Sequence, residues 1–316
     1  MRIDVHAHYY PAAYLDFLDG MRGASTVLAR AGTAGDRHAD LEVRFSEMDV
    51  AGVDLQVLSL STVLPYAEDE SAAVAAARLA NDLYADAVER YPGRLRAFAA
   101  LPLPHVGPTL AEIERCSSDA RAVGFSIGTS VLGRPISDPA FEPVFRELDR
   151  RGSALFIHPA GVGACSPLVP STGIGPTIED TMAIWHLIDS GLIVRYPRIK
   201  IIVSHAGGAF PLLTARLDRH HASFSTHLSE PPSVTARRLW YDTVTHASVP
   251  ALRCAIEAFG ADRLLLGTDF PYSSYPNAVS YLEGAGLSDE ALRGVNSETA
   301  RSLLGMALPL LAGKVR

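Results

Sequence analysis

Residues 2–8 read Arg2-Ile3-Asp4-Val5-His6-Ala7-His8. Arg2–Val5 is a short β-rich run, and two histidines spaced two apart follow it. In an extended segment residues i and i+2 share a side, so both imidazoles are expected to face one way. Similar runs recur seven more times: Asp54–Leu60, Leu95–Leu101, Gly124–Ser130, Ala154–His158, Lys200–His205, Leu239–Thr245 and Arg263–Thr268. Longer helical patterns lie between them. These are Asp69–Tyr91, stopped by Pro92-Gly93; Pro108–Ala122; Pro139–Arg151, stopped by Gly152; Thr177–Tyr196, stopped by Pro197; Phe210–Phe224; Val249–Phe259; and Ser288–Leu304. Eight strand–helix alternations predict an α/β chain closed into a (β/α)8 TIM barrel.

Two stretches lack a clear period, residues 9–41 after the first strand and 159–176 after the fifth. Both fall where βα loops gather, at the rim that carries barrel active sites. The expectation is therefore a distorted barrel with an insertion after strand one. The whole chain, 1–316, reads as a single domain, with 21–40 as a lid rather than a second domain.

Composition narrows the function classes. The chain is 48% hydrophobic and 20% charged, which provides for a large core. Its net charge is −7 and no basic stripe is present, so nucleic acid is not an expected partner. No apolar run approaches the roughly 20 residues of a membrane span. The chain opens on a strand-like run instead of a signal sequence, and its three cysteines (Cys116, Cys165, Cys254) lack metal spacing. A reduced, cytoplasmic protein is the expectation. Neither a strand-following GxGxxG nor a P-loop is present, so no organic cofactor is expected.

Four features fall at the ends of strands: His6 and His8 after the first, His158 after the fifth, His205 in Ser204-His205-Ala206-Gly207-Gly208 after the sixth, and Asp269 in Gly267-Thr268-Asp269 after the eighth. Each has a bland reading alone, since a lone histidine is often a hydrogen-bonded core residue and Asp269 can cap a helix. Their coincidence at one rim favours a site. Imidazole and carboxylate suit Zn2+ and similar divalent ions, and three or four such ligands with an open position make a catalytic centre.

On these residues the sequence resembles the amidohydrolase superfamily, in the branch of aminocarboxymuconate-semialdehyde decarboxylase and related aromatic acid decarboxylases. The most specific pieces are Ile3-Asp4-Val5-His6-Ala7-His8, Ser46-Glu47-Met48-Asp49 with Gly52-Val53, Ser204 to Pro211, Tyr241-Asp242 with His246, and Gly267-Thr268-Asp269-Phe270-Pro271. The resemblance implies that His6, His8, His158 and Asp269 hold one divalent metal, usually Zn2+ and sometimes Mn2+. It implies that His205 stays off the metal as a catalytic histidine and that Asp269 doubles as a proton relay. It further implies a homodimer in which Arg216 reaches across the interface toward a substrate carboxylate. His246 and Asp242, near the end of strand seven, are candidates to line the substrate pocket.

Lysine is scarce: only Lys200 and Lys314 occur, against 26 arginines. Many hydrolytic members of the superfamily bridge two metals with a carboxylated lysine on strand four, and strand four here has none. One metal is expected. The loop 160–176 also lacks the substrate-contacting tryptophan of the semialdehyde decarboxylases, and Trp185 is read as core packing. Arg37 or Arg44 are the candidates for a substrate arginine. Tyr9, Tyr10 and Tyr272 border the ligands and could shape an aromatic pocket. The expected activity is non-oxidative decarboxylation of a small hydroxylated aromatic or related unsaturated carboxylic acid. The alternative is a mononuclear lactone or amide hydrolase, or a hydratase.

Overall fold

The computed structural model describes residues 1–21, 25–119, 121–161, 173–273 and 275–306. Eight parallel strands form one sheet in sequence order: β1 (Ile3–His8), β2 (Leu55–Ser59), β3 (Leu95–Ala100), β4 (Ala122–Gly128), β5 (Ala154–His158), β6 (Lys200–Val203), β7 (Trp240–Asp242) and β8 (Leu264–Leu265). The sheet closes on itself. Val5 N donates to Leu266 O (2.9 Å), Asp269 N to His6 O (2.8 Å) and His8 N to Phe270 O (2.8 Å). A parallel bridge joins Ala7 to Phe270. This is the expected (β/α)8 barrel, and register shifts in the β1–β2 and β3–β4 ladders distort it. A small antiparallel pair, Ser130–Val131 with Arg134–Pro135, follows β4.

Closure changes the strand ends. β1 runs through His8, so both histidines lie within the strand. β7 and β8 are shorter than their apolar runs. Past Leu265 the chain is turned by Asp4, whose carboxylate accepts from Thr268 N (3.0 Å) and Thr268 Oγ1 (2.6 Å). Part of the core gathers Val5, Val57, Phe98, Phe156, Ile202 and Leu265 with Leu303 and Leu304 of the C-terminal helix. Lys200 Nζ donates to Leu303 O (2.8 Å) there, at the β6 start and so opposite the histidine-bearing rim.

The helices differ from the pattern in several places: Pro108–Ala122 is Val106–Ser117, with Ala122 opening β4, and two helices the pattern did not show, Pro232–Ala236 and Tyr275–Glu283, are present. Thr177–Tyr196 resolves into Ile174–Asp189 and Leu192–Arg195, separated by Gly191 at φ 71°. Ser288–Leu304 is interrupted by a π-turn at Gly294–Glu298. The segment without a period holds helices Ala12–Asp19, Val27–Ala31 and His38–Ala51. The last of these buries Asp40 and Arg44 beside Leu41 and Met48, so charge breaks its apolar stripe. Among residues 25–40, Ala34 is fully buried and its carbonyl accepts from Tyr10 N (2.7 Å).

Candidate metal centre

The site is built from Asp4 upward. Asp4 is fully buried on β1. It accepts from His6 N (3.0 Å), from Thr268, from Tyr275 OH (3.0 Å) and from Gln56 Nε2 (3.0 Å). One carboxylate thus ties the histidine-bearing end of β1 to the turn that presents Asp269. Burial raises the Asp4 carboxyl to about 6, against the pull of these donors. Gly267 permits the approach, because a Cβ there would lie 2.8 Å from Asp242 Cβ and 3.0 Å from His6 Cβ.

Four imidazoles and one carboxylate converge above it. His6 Nδ1 donates to Asp242 Oδ2 (2.6 Å), and its Nε2 lies 3.2 Å from Asp269 Oδ1. His8 Nε2 lies 2.9 Å from the same oxygen. His158 Nδ1 donates to Pro159 O (3.0 Å), which leaves Nε2 buried with no partner. Ring centroids stand 4.9 Å apart for His6–His158, 5.0 Å for His8–His158 and 5.2 Å for His158–His205. Ligand atoms of His6, His158, His205 and Asp269 all fall within 4.8 Å of one another. His205 and Asp269 adopt left-handed backbone (φ 50° and 61°), a strain that sites tolerate when the surroundings enforce it.

The protonation pattern matches a centre built for a cation. Burial favours a neutral carboxyl at Asp269, but His6 and His8 hold it well below the usual range. Burial, reinforced by neighbouring imidazoles, pushes His158 well below its ordinary value, and burial also lowers His8. Burial opposes charge on His6 too, yet the Asp242 and Asp269 carboxylates lift it to about 10. Lone pairs on neutral His8 and His158, an anionic Asp269, and His6 oriented by an outer carboxylate form a donor set that fits a divalent ion. The buried, unpartnered Nε2 of His158 is its direct mark, since such an atom is costly without an acceptor or ion.

The structure brings His6, His8, His158, His205 and Asp269 together at one rim. The tightest quartet contains His205, and His8 joins it through Asp269. Residues expected around the centre divide. Tyr10 stacks on His8 (5.8 Å) and Tyr272 meets its edge (5.1 Å), while Tyr9 turns away to pack on Tyr84 (5.7 Å). Arg216 is exposed on Phe210–Phe224, and His246 is exposed after β7. Trp185 packs on the core, as expected. Neither candidate substrate arginine lines the site. Arg44 is fully buried beneath β1, where it donates to His8 O (2.6 Å) and to Gln56 Oε1, and Arg37 is exposed and paired with Asp40. Cys165 and most of the loop 160–176 lie outside the described residues.

Sequence reasoning missed three buried groups. Asp180 meets His205 Nδ1 (Oδ2, 2.8 Å) and accepts from Ser204 Oγ (Oδ1, 2.9 Å). Its neighbour Glu179 accepts from Thr129 Oγ1 (2.7 Å) and Ala160 N (2.8 Å). Gln56 links Asp4 to Arg44. The signal for the first two is two adjacent acids inside the mostly apolar stretch 174–188. Asp242, read as pocket lining, instead holds His6.

An eight-stranded parallel barrel with a histidine–carboxylate cluster fit for a divalent ion at its rim defines the class of this protein. The amidohydrolase family pattern matches residues 3–306, and the chain belongs to that family. The 2-amino-3-carboxymuconate-6-semialdehyde decarboxylase of Dictyostelium discoideum is 29% identical over 241 residues, covering 74% of this chain and 67% of its own. The structure of 5-carboxyvanillate decarboxylase from Sphingomonas paucimobilis superposes with a TM-score of 0.82 at 28% identity, covering 97% of this chain and 99% of that one. A dihydroxybenzoic acid decarboxylase from a Polaromonas species, solved with manganese and the inhibitor 2-nitroresorcinol, shares the fold (TM-score 0.80, 24% identity, 96% of each chain). All three are decarboxylases, that is, carbon–carbon lyases. No helix among the described residues is long and apolar enough to cross a membrane.

Proposed function

We propose that this protein is a metal-dependent non-oxidative decarboxylase of a hydroxylated aromatic or related unsaturated carboxylic acid. The observation that carries the reading is the convergence of four buried imidazoles and Asp269, with an unpartnered Nε2 on His158. His6, His8, His158 and Asp269 would hold the ion, and manganese in the Polaromonas relative supports a divalent metal there. Zn2+ suits the same imidazole-rich donors. When bound, the metal supplies Lewis acidity and a template for the substrate's oxygens. β4 carries no lysine, which supports a single metal over a carbamate-bridged pair.

The chain's own residues then supply the proton inventory. His205 Nδ1 is engaged by Asp180, so Nε2 is the nitrogen available toward the cluster. His205 Nε2 or Asp269 would first take a proton from the substrate's own acidic group or from solvent and then deliver it to the carbon bearing the carboxylate, before loss of CO2. The electron pair of the breaking carbon–carbon bond returns to the ring. Acid–base help of this kind is typically worth about 10²–10⁴-fold. Tyr10 and Tyr272, set against His8, would flank an aromatic substrate. The insertion read as a lid, which the structure describes over 25–40, would cover it. In a homodimer, exposed Arg216 would face the partner's site, while His246 would sit at the pocket mouth.

The test is CO2 release from metal-loaded protein, with Zn2+ or Mn2+, on salicylate-type acids, dihydroxybenzoates and unsaturated dicarboxylates. Release that stops with chelator and in Asp269→Ala is the expected result. No release from any of these acids by protein shown to bind its metal overturns the reading, and lactones and amides would then be tried.

A further inference from the structure

We infer that Asp180 is the positioning residue for His205, fixing its proton on Nδ1 and its lone pair on Nε2. Asp180 is fully buried and comes from the helix Ile174–Asp189 that follows β5. It crosses to the end of β6, where Oδ2 sits 2.8 Å from His205 Nδ1 and Oδ1 accepts from Ser204 Oγ at 2.9 Å. Both oxygens are thereby committed to adjacent residues of one strand end, so the carboxylate cannot rotate away without losing both bonds. An ionised carboxylate only accepts hydrogen bonds. The imidazole nitrogen it faces must therefore be the protonated one, and the other nitrogen is left as the base.

The local backbone shows the same purpose. His205 and Ala206 both hold positive φ (50° and 52°), and Gly208 follows at φ 62°. A Cβ on Gly208 would lie 2.0 Å from Thr177 O, so this turn presses directly against the helix that bears Asp180. Thr181 Oγ1 accepts from Ala209 N (2.8 Å) and seals the same contact. The strained turn and the helix are thus locked together at three points around one carboxylate–imidazole pair. No other anionic group lies within hydrogen-bonding distance of His205 Nδ1 among the described residues.

The pair has two possible meanings. If His205 is a metal ligand, Asp180 is an outer-shell support, and losing it weakens metal binding by about 10–100-fold. If His205 works off the metal, losing Asp180 leaves the metal in place and removes the correct tautomer. Replacing the orienting aspartate of a catalytic histidine by asparagine costs about 10⁴-fold in kcat in the serine-protease case. The second meaning follows from the proposed ligand set, in which His6, His8 and His158 together with Asp269 already provide four donors and leave His205 free to act beside the metal.

This kinetic half rests on the decarboxylase reading, so the experiment begins with a measurement that does not. Histidine 15N–1H correlation spectra of metal-loaded protein should show a neutral Nδ1–H tautomer that vanishes in His205→Ala. Asp180→Asn should convert that signal to the Nε2–H form while metal content stays at the wild-type level. With any acid that the wild type decarboxylates, Asp180→Asn should lower kcat at least 100-fold with KM within about threefold. Asp180→Glu should recover at least tenfold over the asparagine variant, and Asp180→Asn/His205→Ala should be no slower than His205→Ala. Metal lost in step with activity, additive double-mutant effects, or an unchanged His205 tautomer in Asp180→Asn would each overturn the assignment. Should the asparagine variant fail to fold, Asp180→Glu carries the test through metal content and the kcat-only loss. If no acid is turned over, the decarboxylase reading fails, and the spectra still decide the role of Asp180.

Discussion

His158 shows how a single side chain reports a missing partner. Its Nδ1 is satisfied by Pro159 O, its ring is buried among three other imidazoles, and its Nε2 has no acceptor or donor within reach. Burial and the neighbouring rings hold it neutral, which is the form that donates a lone pair. His158→Ala should therefore weaken metal binding by more than the roughly 10–100-fold that losing an outer-shell partner costs. Asp242→Asn, which only loosens the bond to His6 Nδ1, should fall inside that range. Competition with a chromophoric chelator measures both. Wild-type affinity in His158→Ala would remove this residue from the ligand set. The residue scale is also where sequence reading did best. Histidine and aspartate at strand ends are chemically distinctive, and their separation along the chain collapses once the strands are placed side by side. Asp180 was not legible for the opposite reason. It lies mid-helix, 25 positions before the histidine it serves, and only the crossing of that helix over the β6 turn gives it a role.

Among the elements, the helix His38–Ala51 illustrates what periodicity hides. Apolar spacing found seven helices because each lays an apolar stripe on the barrel. This helix instead inserts Arg44 under the end of β1. The guanidinium donates through Nη2 to His8 O (2.6 Å) and through Nη1 to Gln56 Oε1, and it sits over the Phe270 ring at 4.7 Å. Gln56 passes the connection on to Asp4, so one buried cation and one buried anion bracket the strand that carries His6 and His8. Truncating such a group leaves buried acceptors without donors, together with a cavity. Arg44→Ala should destabilise the metal-free protein by about 3 kcal/mol or more. Arg44→Lys should recover little, because a single ammonium cannot reproduce a planar fork aimed at two separate oxygens. Denaturant titration reads the difference, and a loss below about 1 kcal/mol would show that the network is not what holds β1 in place. The strands β7 and β8 were legible as apolar runs but not in length. Their ends are set by Asp4 and by barrel closure, both long-range features that no window of sequence contains.

At the scale of the whole molecule, the barrel gathers buried ionisable groups at one rim, and loading with metal must redistribute their protons. In the metal-free protein burial works against a charged His6, but the Asp242 and Asp269 carboxylates raise it to about 10. Its unfolded-state value is about 6.5. Because the folded value is the higher one, the stability that protonated His6 contributes is fully present below about pH 6.5 and is lost as pH rises through about 10. A metal reverses that requirement, since coordination needs the Nε2 lone pair and therefore neutral His6. His8 and His158 are already pushed toward neutrality by burial and have no proton to give at pH 8. A His205 held off the metal keeps its Nδ1 proton against Asp180. Metal binding at pH 8 should therefore release about one proton per ion. Calorimetric titration in buffers of different ionisation enthalpy gives this number from the slope of apparent heat against buffer heat. A value near zero would mean that the carboxylates do not hold His6 charged. A value near three would mean that the other imidazoles are protonated as well, against the burial that encloses them. One proton would identify His6, held between two carboxylates, as the group that trades its charge for the metal's.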